Sequence, residues 1–195
     1  AKRSLQKGRD VTSISSKLPK KKRYLKKVKY ISCDICNKKF LKKKIKKYFN
    51  YVVNLGGYVD HSNKKKTLES HYFGSKNLAE IFFRKNIDSF IQIGSSAEYG
   101  KLKSPQSEIS KCKPLSVYSK AKFLATSHLI NISKKINFPC TVLRFYQVYG
   151  PRQDFNRFLP VVINGCIKNK IFPCSDGKQF RDFLYVDDAV DAIFK

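Results

Sequence analysis

A parallel α/β sheet flanked by helices is the fold class this sequence predicts, and three observations carry it. Short apolar runs alternate with helical patterns along the chain, as in units that cross from strand to strand through a helix. The 195 residues are 42% hydrophobic and 13% aromatic, enough for a globule with a real core but too few for two large domains. Segments ending in Gly and Ser follow several of the apolar runs, where such sheets place their ligands.

Taken in order, Ala1–Lys7 reads as the tail of a helix with Gly8 as its C-cap. Val11–Ser15 and Val28–Cys33 read as strands, separated by a basic loop over 17–27. Phe40–Phe49 is amphipathic, with Leu41, Ile45 and Tyr48 at helical spacing. Tyr51–Asn54 is a short strand running into Leu55-Gly56-Gly57. Ser75–Lys85 reads as a helix, Phe90–Ile93 as a strand, Ser116–Lys134 as a long helix and Thr141–Tyr146 as a strand. Helices are also expected over Phe158–Lys168 and Asp187–Phe194, with Asp187 as an N-cap. The sheet begins after a helix tail and the chain stops within a helix, so both ends read as truncated, and no glycine-rich GxGxxG string is present.

The net charge is +27. A basic surface of that size could serve nucleic acid through counterion release. The lysines, however, are scattered through every segment beside abundant Asn, Ile, Phe and Tyr, the habit of an AT-rich genome, and no nucleic-acid motif accompanies them. No specific nucleic-acid partner is expected; the charge would draw anionic substrates. Of six cysteines only Cys33 and Cys36 have metal-like spacing, without a second ligand pair, so reduced thiols and no metal are expected. No apolar run approaches the roughly 20 residues of a membrane span. Residues 1–10 lack the apolar stretch of a signal peptide, so the expectation is a cytoplasmic protein with no membrane partner.

The chemistry centres on Tyr118-Ser119-Lys120-Ala121-Lys122. On a helix Tyr118 and Lys122 share a face. A free phenol ionises near ~10, and a neighbouring ammonium favours the phenolate and makes it a usable base. Upstream, Ile93-Gly94-Ser95-Ser96-Ala97-Glu98-Tyr99-Gly100 closes a predicted strand, where a serine hydroxyl can orient a reacting hydroxyl. Glu98 is expected to be solvated or hydrogen-bonded near the cleft mouth. Downstream stand Leu143-Arg144-Phe145-Tyr146-Gln147-Val148-Tyr149-Gly150-Pro151 and Arg181-Asp182-Phe183-Leu184-Tyr185-Val186-Asp187-Asp188. His71 is read as structural, and His61 and His128 are given no role.

In this order, SSxxYG, YxxxK, LRxxxVYGP and RDFxYVDD resemble the extended short-chain dehydrogenases/reductases, the family of nucleotide-sugar epimerases, dehydratases and reductases. The resemblance implies a Rossmann-type doubly wound parallel sheet lacking its first strand, with the start of a smaller C-terminal substrate domain. It places an incomplete NAD(P)-binding domain at 1–150 and the beginning of the substrate-binding region, interleaved with the last Rossmann elements, at 151–195. It implies Tyr118 as base, Lys122 as its partner and ribose ligand, and Ser95 as the catalytic hydroxyl, with Ser96 beside it toward the substrate. It also implies Asp34 and Ile35 at the adenine, and Leu55, Gly56, Gly57 and Tyr146 along the cofactor. Gln147 and Arg181 fall at the nucleotide sugar, Arg181 at its diphosphate. Family members often pair through helices, one of them bearing YxxxK, so a homodimer is expected of the full-length protein. The cofactor is NADP or NAD. NADP is preferred, because the strand over 11–15 ends in Ser15, Ser16 and Lys17 where NAD enzymes carry an acid. The expected function is a nucleotide-sugar epimerase or reductase. The alternatives are a 4,6-dehydratase and, from another class, a basic nucleic-acid-binding protein on a Rossmann scaffold.

Overall fold

A computed structural model describes residues 1–195. The chain divides into two compact units, Ala1–Arg144 and Phe145–Lys195. In the first, β1 (Val11–Ser15) runs parallel to β2 (Val28–Ser32), with Val11 opposite Val28 and Ser15 opposite Ser32. A second parallel sheet has the order β3-β4-β5, formed by Tyr51–Asn54, Ser89–Ile93 and Cys140–Leu143. No ladder joins β1 to β3. The Arg9 guanidinium nevertheless lies 4.4 Å from the centre of the Tyr51 ring, so the approach to β1 runs beside the start of β3. The break in the sheet falls where the sequence predicts a strand to be lacking, and the architecture is the expected Rossmann-like parallel α/β type.

Helices pack on these strands because each carries a defined start and a buried stripe. The chain opens on α1 (Lys2–Gln6), which ends at Lys7 with Gly8 following at φ +68. Asn37 caps α2 (Lys38–Lys44), its side chain accepting from the Phe40 N–H at 3.0 Å, and Leu41 is fully buried. The expected continuation to Phe49 does not form: Ile45 leaves helical geometry, drops into the core, and the chain turns toward β3. Asn63 caps α3 (Lys64–Leu68), which the sequence reading missed because its lysines show no apolar stripe. It runs through a π-helical turn, Glu69–Phe73, into α4 (Gly74–Phe82), which buries Leu78, Ala79, Ile81 and Phe82. The long α5 (Val117–Ile136) starts at a reciprocal Ser116–Ser119 capping box and ends at Asn137 in the left-handed region. Phe90, Leu41 and Leu129 are the largest fully buried apolar side chains.

A buried polar network ties sheet to helix. Asn54 donates to Ser75 Oγ at 3.0 Å and to Gln92 Oε1 at 2.8 Å, and Ser75 donates to the His71 carbonyl at 2.7 Å. The three bonds run in series from β4 to β3, from β3 to α4, and from α4 back to the π turn.

The second unit holds β6 (Gln147–Tyr149) parallel to β7 (Phe183–Tyr185), with α6 (Phe158–Ile167) and α7 (Val186–Phe194). These two strands, three residues each, are too short to show a period in the sequence, and the strand expected over Thr141–Tyr146 ends at Leu143. Asp187 is not the N-cap of α7: Tyr185 holds that position, and Asp187 sits in the first turn, where its charge suits the helix dipole. No helix is long and apolar enough to cross a membrane.

Between β4 and α5 the chain makes a 3₁₀ turn, Ser96–Tyr99, and here Glu98 takes the second of its two expected forms, hydrogen-bonded rather than solvated. It is fully buried. Its Oε1 accepts from the Ser95 N–H at 2.9 Å, closing a capping box, and its Oε2 accepts from Arg144 Nε at 3.0 Å. Arg144 also donates to the Tyr99 hydroxyl at 3.3 Å. Gly100 ends the turn at φ +67, with a Cβ forbidden by the Lys113 carbonyl oxygen 1.8 Å away. Removing Glu98 strands a largely buried guanidinium. Glu98→Ala should therefore destabilise the protein by about 3–5 kcal/mol, read as a lowered urea midpoint. Glu98→Gln, which keeps an acceptor for Ser95, should cost less. An unchanged midpoint in Glu98→Ala would contradict this account.

Candidate active site

Tyr118 and Lys122 occupy successive turns of α5, and α5 packs against the 3₁₀ turn that follows Ser95. The Lys122 ammonium is 94% buried, at 6% exposure, lies 6.0 Å from the centre of the Tyr118 ring and donates to the Ile93 carbonyl at 2.7 Å. That bond fixes the helix to the end of β4, two residues before Ser95. Burial pulls the Lys122 pKa down to about 8, while the Glu98 carboxylate pushes it back up. At neutral pH the ammonium keeps its charge and loses it as pH rises through that value. The Ser95 hydroxyl accepts from the Ala97 N–H at 3.2 Å, which leaves its proton to donate. Ser96 is half-buried beside it.

Two histidines flank Tyr118, and the sequence reading found neither. His61, exposed in the turn before α3, stacks on the phenol ring with centroids 4.2 Å apart and planes 17° apart. His71, from the π turn, meets the same ring edge-on at 5.0 Å. His71 stands just before α4, in a helical run that is continuous from Lys64 to Phe82. Its Nε2 is 3.1 Å from the Tyr58 carbonyl, an acceptor only, so Nε2 carries the proton and Nδ1 is a bare acceptor. Nδ1 is buried without a partner. Burial, then the Lys122 charge, lowers the His71 pKa to about 4, so this imidazole is neutral at ordinary pH. Only the general aptitude of histidine for acid–base sites could have flagged the pair from sequence, because loop, π turn and α5 are joined by no local pattern.

The expected cofactor residues line one edge of the strands. Ile35, in the loop after β2, is packed so closely on Gly56 and Gly74 that a Cβ on either would come within 2.9 and 2.6 Å of its Cδ1. Asn77 holds this loop by donating to the Ile35 and Cys36 carbonyls. Asp34 is exposed and accepts from the Cys36 N–H at 2.8 Å. Leu55 is 70% exposed, and Gly57 lies against the His71 ring, 2.3 Å from where its Cβ would be. After β1, the Ser15 hydroxyl donates to the Lys17 carbonyl, and Lys17 is exposed. This donor set fits a dinucleotide: an exposed carboxylate, exposed apolar surface at Leu55, an exposed cation, and an ammonium with donors beyond its one bond to Ile93.

In the second unit, Tyr146 is 38% exposed and Gln147 opens β6, its N–H donating to the Asp182 carbonyl at 3.1 Å. Strand pairing thus brings Gln147 beside the segment carrying Arg181. Arg181 is exposed and donates to Gln179 Oε1 rather than pairing with Asp182 or Asp187. The cysteines are all free thiols.

The chain is 31% identical over 173 residues to Protein CapI of Staphylococcus aureus, covering 86% of this chain and 51% of that protein. It is 28% identical over 166 residues to the dTDP-D-glucose 4,6-dehydratase of Dictyostelium discoideum, covering 75% of this chain and 38% of that one. Among solved structures, the UDP-glucose 4-epimerase of Thermotoga maritima with UDP-glucose superposes with a TM-score of 0.88 at 22% identity, over 98% of this chain and 66% of that one. The chain thus spans about half, or less, of the length of these two curated relatives. The model of the NAD dependent epimerase/dehydratase family matches residues 1–195, and it is to this family that the chain belongs.

Proposed function

We propose that this chain carries the cofactor-binding part and the catalytic set of a nucleotide-sugar epimerase or reductase, working by reversible hydride transfer at a sugar carbon. The observation that carries the reading is the buried Lys122 ammonium beside Tyr118, anchored to the strand end that leads into Ser95. Tyr118, as phenolate, takes the proton of a sugar hydroxyl, and Lys122 stabilises that phenolate. Ser95 donates to the same hydroxyl oxygen and orients it. Lys122 has further donors for a ribose diol, and Asp34, Ile35, Leu55, Gly56, Gly57 and Tyr146 would line the dinucleotide. A bound nicotinamide would supply the acceptor and donor for the hydride exchanged with the sugar carbon. Gln147 would stand at the sugar, and Arg181 would hold the diphosphate through its planar fork. The proposed division is a cofactor domain over 1–150 and the start of the substrate region over 151–195. The full-length protein is proposed to pair through α5, where Leu124 and Ile130 are exposed.

Two observations support reading this chain, within the family, as an epimerase or reductase rather than a 4,6-dehydratase. Elimination of water needs an acid–base pair beyond the tyrosine. In the family resemblance that pair follows the catalytic hydroxyl, at Ser96 and Ala97, and alanine has no proton to exchange. Glu98 is a poor substitute, since both its oxygens are engaged, by Ser95 N–H and by Arg144.

Three outcomes are expected of the whole protein. Tyr118→Phe should lower turnover by about 10²–10⁴-fold with cofactor affinity nearly intact, whereas Lys122→Ala should impair both; wild-type turnover in Tyr118→Phe removes the assignment. Incubation with a panel of nucleotide hexoses should yield no 4-keto-6-deoxy product. Accumulation of that product at a rate that collapses in Glu98→Gln would make the protein a dehydratase. NADP should bind more tightly than NAD at fixed salt, because no carboxylate stands at the end of β1 and Lys17 is exposed there. Tighter binding of NAD by calorimetry would reverse that preference.

A further inference from the structure

We infer that His61 is a third ionisable member of this site: its imidazole and the Tyr118 phenol, stacked face to face, titrate as one coupled pair, with His71 as the wall that holds the phenol between two rings. The inference rests on Tyr118 being the base, and it adds a residue that sets when the base is charged.

Three rings form a closed set. His61 stacks on Tyr118 at 4.2 Å, His71 meets Tyr118 edge-on at 5.0 Å, and His61 meets His71 at 5.8 Å. They come from three separate elements: the turn after β3, the π turn and α5. A stack at that separation puts the imidazolium within a few ångströms of the phenolate charge, close enough for each charge to shift the other's titration. An imidazolium favours the phenolate, and a phenolate favours the imidazolium.

The groups around His61 decide which partner moves. From α5 come Tyr118 and the Lys122 ammonium, 6.0 Å from the phenol ring. From the π turn comes His71, which remains neutral because burial holds its pKa near 4. From the turn itself comes Asp60, locked by the Ser62 N–H and hydroxyl and feeling the charges of His61 and of Lys66 in α3. Lys122 keeps its charge below about 8 and His71 keeps none above about 4. His61 is the imidazole stacked on the Tyr118 ring, so its protonation is the one placed to change the field there. Its ring is exposed, so it exchanges protons with water directly.

Nuclear magnetic resonance on the whole protein, labelled at histidine Cε1 and tyrosine Cζ, tests this without measuring turnover. In wild type, the Tyr118 Cζ signal should show a small step at the midpoint of His61 in addition to its own ionisation. His61→Phe keeps a stacked ring but removes the proton; it should abolish that step. Tyr118→Phe should move the His61 midpoint in the acid direction if the phenol bears negative charge in that range. His61→Ala, which removes ring and proton together, should in addition free the phenol ring to rotate faster. A shift of about one pH unit between variants corresponds to a tenfold change in equilibrium constant. If the Tyr118 signal has no step at the His61 midpoint and the His61 midpoint is the same in Tyr118→Phe, the coupling does not exist. Loss of turnover in Tyr118→Phe would still stand in that case, so the two readings fail separately.

Discussion

Burying the Glu98 carboxylate obliges its surroundings to supply positive charge and hydrogen bonds, and most of the site's architecture answers that demand. One oxygen is satisfied by the Ser95 N–H, which bends the chain after β4 into a 3₁₀ turn and presents the Ser95 hydroxyl. The other draws in Arg144 from the residue after β5. The remaining field reaches Lys122, whose charge burial would otherwise erode further. A single anion thereby fixes the loop after β4, ties it to β5 and helps keep the charge on the Lys122 ammonium beside Tyr118. Such a pair contributes less to net stability than its Coulomb energy suggests, because both ions give up water. Its value lies in specifying one arrangement of three segments.

Parallel strands explain why so many site residues meet. Within each ladder the strands run the same way, so Ser15, Asp34, Leu55 and Ser95 follow at carboxyl ends, and the contact of Ile35 with Gly56 shows that the two sheets present those ends to the same side. The tight approach at Gly56, Gly57 and Gly74 is a packing requirement of the protein itself, since the would-be Cβ positions meet Ile35 and His71 side chains.

What could be read from sequence follows a physical divide. That Tyr118 and Lys122 are neighbours on one helix was legible because helical periodicity brings residues four apart together wherever the helix lies. That Ser95 follows a strand was legible because an apolar run ending in Gly and Ser is a local signal. The complete burial of Glu98 was not legible, because it depends on Arg144 arriving from the residue after β5. His61 and His71 were missed because their meeting with Tyr118 is a property of tertiary packing alone. The three-residue strands β6 and β7 carry too little periodicity to be seen, and the start of α3 is hidden by lysines whose helical role depends on the cap at Asn63.

The π-helical turn at Glu69–Phe73 does more than widen a helix. Thr67, His71 and Ser75 are all buried, at intervals of four. In a regular α-helix, residues eight apart diverge by about 80° around the axis, so Thr67 and Ser75 would point to different neighbours. A wider turn takes up that divergence and keeps the three in a column, with Ser75 Oγ hydrogen-bonded to the His71 carbonyl one turn below. The column works as a gear between two cargoes: at one tooth Ser75 engages Asn54 and the sheet, at the next His71 engages the Tyr118 ring. Tightening this segment by one residue would turn the teeth out of phase. Either the sheet or the phenol would then lose its partner, so the local bulge sets the timing of the whole assembly.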